Sequence, residues 1–313
     1  MSSGAAHPDR ALTTIVVTGG SGFIGSAVVA LAVEQGHRVV SLIRECEPAP
    51  EFEGVEHRVV DWSDAPGLCA TLAALVPGAV IHCAGSTGRA GEDVAVLYRA
   101  NVETVWDLLA AVRSACPDAG VVLLSSAAVY GPEPVVPTVE DAPLAPATHY
   151  AASKVMAEGL CRTFAGVDGI RCVAARPFNV LGPGEPGGSV TSRIVGQFEH
   201  GSAGSPVEVK LREAVSVRDL VDVEDVASAL LVLASRGEAG AVYNVCRGRG
   251  VSIGDLVAAV ADAQGSAYTL EVEDPQAVGT VSIGSPIALA ALGWSPRYDL
   301  AESLHRVLTS RRP

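Results

Sequence analysis

The feature that most limits what this chain can fold into is a glycine run set between a clean strand and a clean helix. Thr14-Ile-Val-Val-Thr18 predicts a buried strand, and Phe23 to Gln35 predicts a helix closed by Gly36. Between them stands Thr18-Gly-Gly-Ser-Gly-Phe-Ile-Gly25. Gly19 allows the tight turn, Gly22 lets backbone approach a pyrophosphate, and Gly25 lets helix pack on strand. The helix start then offers free N–H groups to phosphate. A glycine triplet alone also fits an ordinary strand–helix turn; its place between the two elements predicts a dinucleotide site.

The same alternation continues. Arg38–Ile43, Val55–Val60, Ala79–Cys83, Gly120–Leu124 and Ile170–Ala175 are predicted strands. Helices are expected from Ser63, over Val94–Ala115 and after Tyr150. Strictly alternating β and α elements imply an α/β fold with a doubly wound parallel sheet, binding ligands at the carboxyl ends of its strands. The rhythm breaks after Arg176. Leu181-Gly-Pro-Gly-Glu-Pro-Gly-Gly188 is a loop, and Gly184–Gly204, rich in Gly and Ser, reads as a mobile lid. Val226–Ser235 is helical, and Ala241–Val245 is a short strand able to rejoin the sheet. The expected division is a dinucleotide-binding domain over 1–178, with 217–246 returning to it, and a substrate lobe from 179–216 and 247–313.

Apolar residues make up 49 % of the chain, which suits strands buried on both faces. A net charge of −13 argues against nucleic acid or an anionic membrane as partner. The seven cysteines (Cys46, Cys69, Cys83, Cys116, Cys161, Cys172 and Cys246) are scattered without a Cys-x-x-Cys pair. Free buried thiols in a reducing compartment, and no metal site, are the expectation. Met1–Ala11 lacks a signal-peptide core and no apolar run approaches spanning length, so a cytoplasmic location is expected.

The chemistry concentrates around one of only two lysines, Lys154 and Lys210. Lys154 ends Tyr150-Ala-Ala-Ser-Lys154, and Ser125-Ser126 closes a strand upstream. A free tyrosine titrates near about 10, and an ammonium one helical turn away favours the phenolate. Tyr150 is then able to exchange a proton with a substrate oxygen, with Ser126 as hydrogen-bond partner of that oxygen and Lys154 holding a nicotinamide ribose. The plain alternative is a half-buried helical tyrosine beside a solvated lysine. His82 reads as a satisfied core histidine. His149 either flanks the helix start or touches substrate. Asp61 either contacts adenine or caps the helix from Ser63. At the end of the second strand, Leu42-Ile43-Arg44 puts Ile where an NAD enzyme offers an acid and a guanidinium next to it. Arg44 pairs with a 2′-phosphate or is merely solvated; the first reading favours NADP(H), with NAD(H) as the alternative.

Taken together, Thr18–Gly25, Asp61-Trp62, His82-Cys-Ala-Gly85, Asn101-Val-Glu-Thr104, Ser125–Gly131, Tyr150–Lys154, Arg176-Pro-Phe-Asn179 and Arg218–Val223 resemble the extended short-chain dehydrogenase/reductase family. The branch is the NAD-dependent epimerase/dehydratases, and the likeness covers nearly the whole chain. It implies a Rossmann domain with a small C-terminal substrate lobe, Ser126, Tyr150 and Lys154 as catalytic residues, and a homodimer. It also implies cofactor contacts from Phe23, Ile24, Ala84, Asn101 and Phe178, which join the candidates Gly19, Gly22, Gly25, Arg44 and Asp61 read above, with Trp62 and Gly85 from the same motifs. Asn179 and Arg218 match residues that hold a nucleotide-sugar diphosphate.

Within that branch the chain looks most like GDP-4-keto-6-deoxymannose reductases and the related GDP-mannose dehydratases. The acid/base pair that dehydratases carry after the catalytic hydroxyl is replaced by Ala127 and Ala128. Methyl groups do not shuttle protons, so 4,6-dehydration is not expected. The resulting expectation is an NAD(P)H-dependent ketoreductase of a nucleotide-activated 4-keto-6-deoxysugar. Its rivals are an NAD-dependent 4-epimerase, a reductase of another small carbonyl compound, and a dinucleotide-sensing binding protein.

Overall fold

The computed structural model describes residues 14–44, 52–88, 92–199 and 205–310. The expectations for Met1–Ala11 and Cys46 lie outside the described residues. Strands β1 (Thr14–Thr18), β2 (Arg38–Ile43), β3 (Val55–Val59), β4 (Ala79–His82), β5 (Gly120–Leu124) and β6 (Cys172–Pro177) alternate with helices. The helices are α1 (Phe23–Glu34), α2 (Ala65–Leu75), α3 (Val94–Tyr98), α4 (Thr104–Ala115) and α5 (His149–Asp168). Next come β7 (Asn179–Leu181), α6 (Val190–Glu199), β8 (Val207–Leu211), β9 (Val217–Asp222), α7 (Val223–Arg236) and β10 (Val242–Val245). The chain closes with β11 (Gly250–Ser252), α8 (Ile253–Gln264), β12 (Tyr268–Val272), β13 (Val281–Ser282), α9 (Ile287–Ala291) and α10 (Leu300–Ser310).

Seven strands form one parallel sheet in the order β10-β6-β5-β4-β1-β2-β3. This is the doubly wound Rossmann arrangement. All of β1 is buried because it lies mid-sheet with helices on both faces. One core packs α1 and α7 on the face bearing Ile15, Val17 and Val39; the other packs α2, α4 and α5 on the face bearing Val16, Val40 and Val80. Burying each such side chain is worth roughly 1.5–3 kcal/mol, so the apolar strands fix the sheet on which the polar site is mounted.

Four details depart from the sequence reading. The predicted helix over Val94–Ala115 is interrupted by a π-helical turn at Arg99–Glu103. Of the stretch expected to return to the first domain, α7 and β10 do so, but β9 pairs with β7, β11 and β13 in a separate sheet. The expected lid contains α6, whose Ile194, Val195 and Phe198 are buried in a third core with α8 and α10; its residues 200–204 lie outside those described. Cys161 and Cys172 are joined as a disulfide rather than free. The short α5–β6 connection sets their Cα atoms 5.5 Å apart, within bridging distance, a proximity that a separation of 11 residues does not announce. Cys69, Cys83, Cys116 and Cys246 are free.

Candidate active site

The glycine turn is a backbone device. Gly19 has φ +67°, and a Cβ there would stand 2.6 Å from the Ala84 nitrogen. At Gly22 a Cβ would meet only the Gly19 carbonyl, at 3.2 Å, so its outer side is open. Gly22 caps α1 without any side-chain bond, and no acid stands in the first turn. The N–H groups of Phe23, Ile24 and Gly25 and the positive end of the helix therefore remain available for an anion. This geometry fits a dinucleotide pyrophosphate.

Beside the turn, Thr18 Oγ1 accepts from the Ala84 nitrogen at 3.2 Å and lies 2.8 Å from His82 Nδ1. Which of Thr18 Oγ1 and Nδ1 donates follows the imidazole tautomer. Burial pushes the imidazole down to about 3, with the Lys154 charge second. The expectation of a satisfied core histidine holds for Nδ1 only. His82 Nε2 has no hydrogen-bond partner, and the ring meets Trp62 edge to face at 5.9 Å.

At the far end, Val60 N–H bonds the Ile43 carbonyl, so the exits of β2 and β3 lie side by side. Arg44 is exposed just after β2, and exposed Asp61 and half-buried Trp62 follow the neighbouring β3. Asp61 accepts from Ser63 N–H and hydroxyl, which hold its carboxyl below the usual range. It does not cap α2; Asp64 does, accepting from Gly67.

The sheet brings Ser126, Tyr150 and Lys154 together. Ser126 follows β5 and caps a short 3-10 turn, accepting from Ala128 N–H at 3.1 Å. Tyr150 and Lys154 share the first turns of α5, which Thr148 caps. Burial pushes the Tyr150 phenol up, while a hydrogen bond with Ser126 pulls the other way. That is opposite to the lowering expected from Lys154, whose Nζ lies 5.9 Å from the ring centroid. Lys154 is 6 % exposed and donates to the Leu124 carbonyl at 2.9 Å. Burial pushes its ammonium down to about 8, with Cys83 and Glu158 acting in the opposite sense.

Asn101 sits in the π-helical turn, and Nδ2 donates to Ser86 O and Ser153 Oγ while Oδ1 accepts from Ser86 N–H. A Cβ on Gly85 would stand 2.7 Å from Asn101 Oδ1 and 3.5 Å from Lys154 Nζ. The β4 exit is thus pressed against Asn101 and Lys154. His149 Nδ1 lies 3.3 Å from the Tyr98 hydroxyl.

Phe178 is buried against Tyr130 and Gly284. Asn179 and Arg218 lie on paired strands, and Asn179 Nδ2 donates to Asp219 O at 3.3 Å. Arg218 spends three donors on Val217 O, Thr280 O and Thr280 Oγ1. The sequence reading missed Thr280, because 62 residues separate it from Arg218. It also missed Asp219, whose carboxylate accepts from Arg247, Gly248 and Gly284 N–H and so knits this loop cluster. Among the described residues no group of three or more His, Cys, Asp or Glu side chains is placed to hold a metal ion, and no helix is long and apolar enough to cross a membrane.

Residues 15–246 match the NAD dependent epimerase/dehydratase family. The chain belongs to that family. It is 34 % identical to a GDP-6-deoxy-D-mannose reductase of Pseudomonas aeruginosa, covering 94 % of this chain and 96 % of that one. It is 30 % identical to a UDP-glucose 4-epimerase of Mycolicibacterium smegmatis, again over 94 % and 96 %. Its fold is similar to that of RMD from Pseudomonas aeruginosa solved with NADPH, at TM-score 0.78 and 31 % identity over 95 % of this chain and 98 % of that one. The protein is therefore an oxidoreductase-type enzyme of the short-chain dehydrogenase/reductase kind, and its cofactor is a nicotinamide dinucleotide, NAD(H) or NADP(H).

Proposed function

We propose that this enzyme reduces the 4-keto group of a nucleotide-linked 6-deoxysugar, using NADPH in preference to NADH. The observation that carries the reading is a half-buried Tyr150 bonded to Ser126 and backed by Lys154, beside Ala127 and Ala128 where elimination would need an acid and a base. The similarity to a GDP-6-deoxy-D-mannose reductase supports the substrate class.

When bound, the dinucleotide supplies the hydride. Tyr150 Oη delivers the proton that turns the carbonyl oxygen into a hydroxyl, and Ser126 Oγ holds that oxygen in place. Lys154 holds the nicotinamide ribose and stabilises the phenolate left behind. Gly22 and the start of α1 seat the pyrophosphate, Phe23, Ile24, Ala84, Asn101 and Phe178 border the rest, and Arg44 meets the 2′-phosphate. Arg218 and Asn179 hold the sugar-nucleotide diphosphate.

A 4-epimerase is the second reading, favoured by the similarity to a UDP-glucose 4-epimerase. A homodimer belongs to the same proposal: α4 and α5 pack side by side and leave Trp106 52 % and Met156 50 % exposed. So does a cytoplasmic location, where NADPH is regenerated.

The test offers purified protein NADPH or NADH with a nucleotide 4-keto-6-deoxysugar and follows cofactor and sugar together. Stoichiometric NADPH oxidation with a deoxysugar alcohol as product is expected, and Arg44→Ala should erode the preference for NADPH. Sugar conversion without net cofactor loss would replace the reading with the epimerase.

A further inference from the structure

Glu158 stands four residues after Lys154 and eight after Tyr150, on the same face of α5. It is 2 % exposed, and its carboxylate is fully occupied. Oε1 accepts from Ser125 Oγ at 2.5 Å and from Arg176 Nε at 2.8 Å, and Oε2 accepts from Arg176 Nη2 at 2.6 Å. Arg176, 1 % exposed, also donates from Nη1 to the Tyr130 hydroxyl and the Glu140 carbonyl. Tyr130 in turn donates to Asn244 Oδ1 on β10. The carboxylate is thereby anchored to β6 and, through Tyr130, to the edge of the sheet.

What it grips is the end of β5. Ser125 lies between Leu124, whose carbonyl receives Lys154 Nζ, and Ser126, whose hydroxyl bonds Tyr150. We infer that Glu158 is the positioning residue of the catalytic pair: through Ser125 it fixes the strand end whose two neighbouring residues contact Lys154 and Tyr150, and it sets a carboxylate one helical turn from Lys154. The inference rests on the proposed reading of Tyr150 and Lys154 as the proton-handling pair.

A purely structural ion pair is the competing account. Buried ion pairs add little stability over well-packed apolar residues of similar volume, so stability alone gives little reason for a charge at this point. The titratable groups facing Lys154 are Tyr150 and Glu158 from α5 and His82 and Cys83 from the end of β4. Burial pushes the Cys83 thiol up to about 12 and His82 down, so both are uncharged near neutrality. Glu158 is the anion left among them.

Two lysines in the whole chain make a direct test possible. With lysine labelled by 13C at Cε, the spectrum holds one signal for Lys154 and one for Lys210, and each is titrated with pH. The variants are Glu158→Gln/Arg176→Met, which removes both buried charges at once, and Ser125→Ala, which keeps the ion pair and cuts the grip on β5. In the double variant the Lys154 midpoint should fall from near 8 by about half a unit or more, and the alkaline limb of kcat should move with it. In Ser125→Ala the midpoint should stay, while kcat falls about five-fold with the KM for NADPH held within about two-fold, the loss of one hydrogen bond. An unshifted midpoint in a double variant that unfolds like the wild type, or an unchanged kcat in Ser125→Ala, overturns the inference. If the double variant fails to fold, Ser125→Ala decides. If the wild type does not turn over the keto-sugar, the functional reading fails, and the lysine titration still decides the positioning role.

Discussion

The two ends of the proposed site are made of different material. At the cofactor end the working parts are backbone: a positive φ at Gly19, an open flank at Gly22 and uncapped N–H groups at the start of α1. At the proposed catalytic end they are polar side chains from the exit of β5, the π-helical turn and α5, with Asn101 and Lys154 buried and Ser126 and Tyr150 half-buried. A backbone site depends on what is missing, a Cβ or a capping acid. A side-chain site depends on desolvation, which sets the proton on Tyr150 and weakens the hold of Lys154 on its own. Loss of shape should therefore damage the first end, and loss of a single atom the second.

The largest effect expected is at the catalytic end. Tyr150→Phe removes one oxygen and should lower kcat roughly a thousand-fold with NADPH affinity little changed; stopped-flow turnover with a parallel binding titration checks it, and a small loss would mean the proton comes from elsewhere. Next is Gly19→Ala, which combines strain at φ +67° with a clash on Ala84. Dinucleotide affinity should fall at least about thirty-fold, about 2 kcal/mol. Gly36→Ala, at φ +80° in open space, should cost about 1 kcal/mol of stability and no affinity. Equal affinity losses would mean that the shape of the Gly19 turn is not what the dinucleotide depends on.

The third effect concerns pH. The folded protein holds His82 neutral to about 3, against 6.5 for the free side chain. The unfolded chain takes up that proton first, so stability is full above 6.5 and is lost as pH falls toward 3. Thermal unfolding should lose about 2 kcal/mol between about pH 7 and 5, and His82→Asn, which keeps an acceptor near the Nδ1 position, should flatten that slope. The smallest effect belongs to the substrate side. Arg218→Ala should raise the KM for a nucleotide sugar about ten-fold with kcat retained, and leave the KM for a neutral carbonyl compound unchanged.

The seven-stranded sheet was legible because its signals are local. The strand–glycine–helix run, the apolar strands and Tyr150-x-x-x-Lys154 each sit within a few residues. The second sheet was less so, because β9 draws its partners from β7, β11 and β13 across the chain. The same cause hid Thr280 behind Arg218. Glu158 was within reach: a carboxylate at helical spacing from Lys154, on a face that also carries buried Ala151, Ala157 and Cys161, has to find a partner. Arg176 supplies it from the next strand. The Cys161–Cys172 bond had no local signal at all.

The π-helical turn at Arg99–Glu103 carries one residue more than a regular helix would need. That surplus residue sets the register at which Asn101 meets Ser86 and Ser153, while α4 beyond it keeps Val105, Leu108 and Val112 in the core. Substitution there is one kind of change; deletion is another. Losing a single codon in this stretch would let the helix run on as a regular one. The flanks would keep their phase, but the outward bulge that carries Asn101 to Ser86 and Ser153 would be lost. The length of this helix is therefore inherited as strictly as its residues, and gaps between descendants of this chain should fall in the surface loops instead.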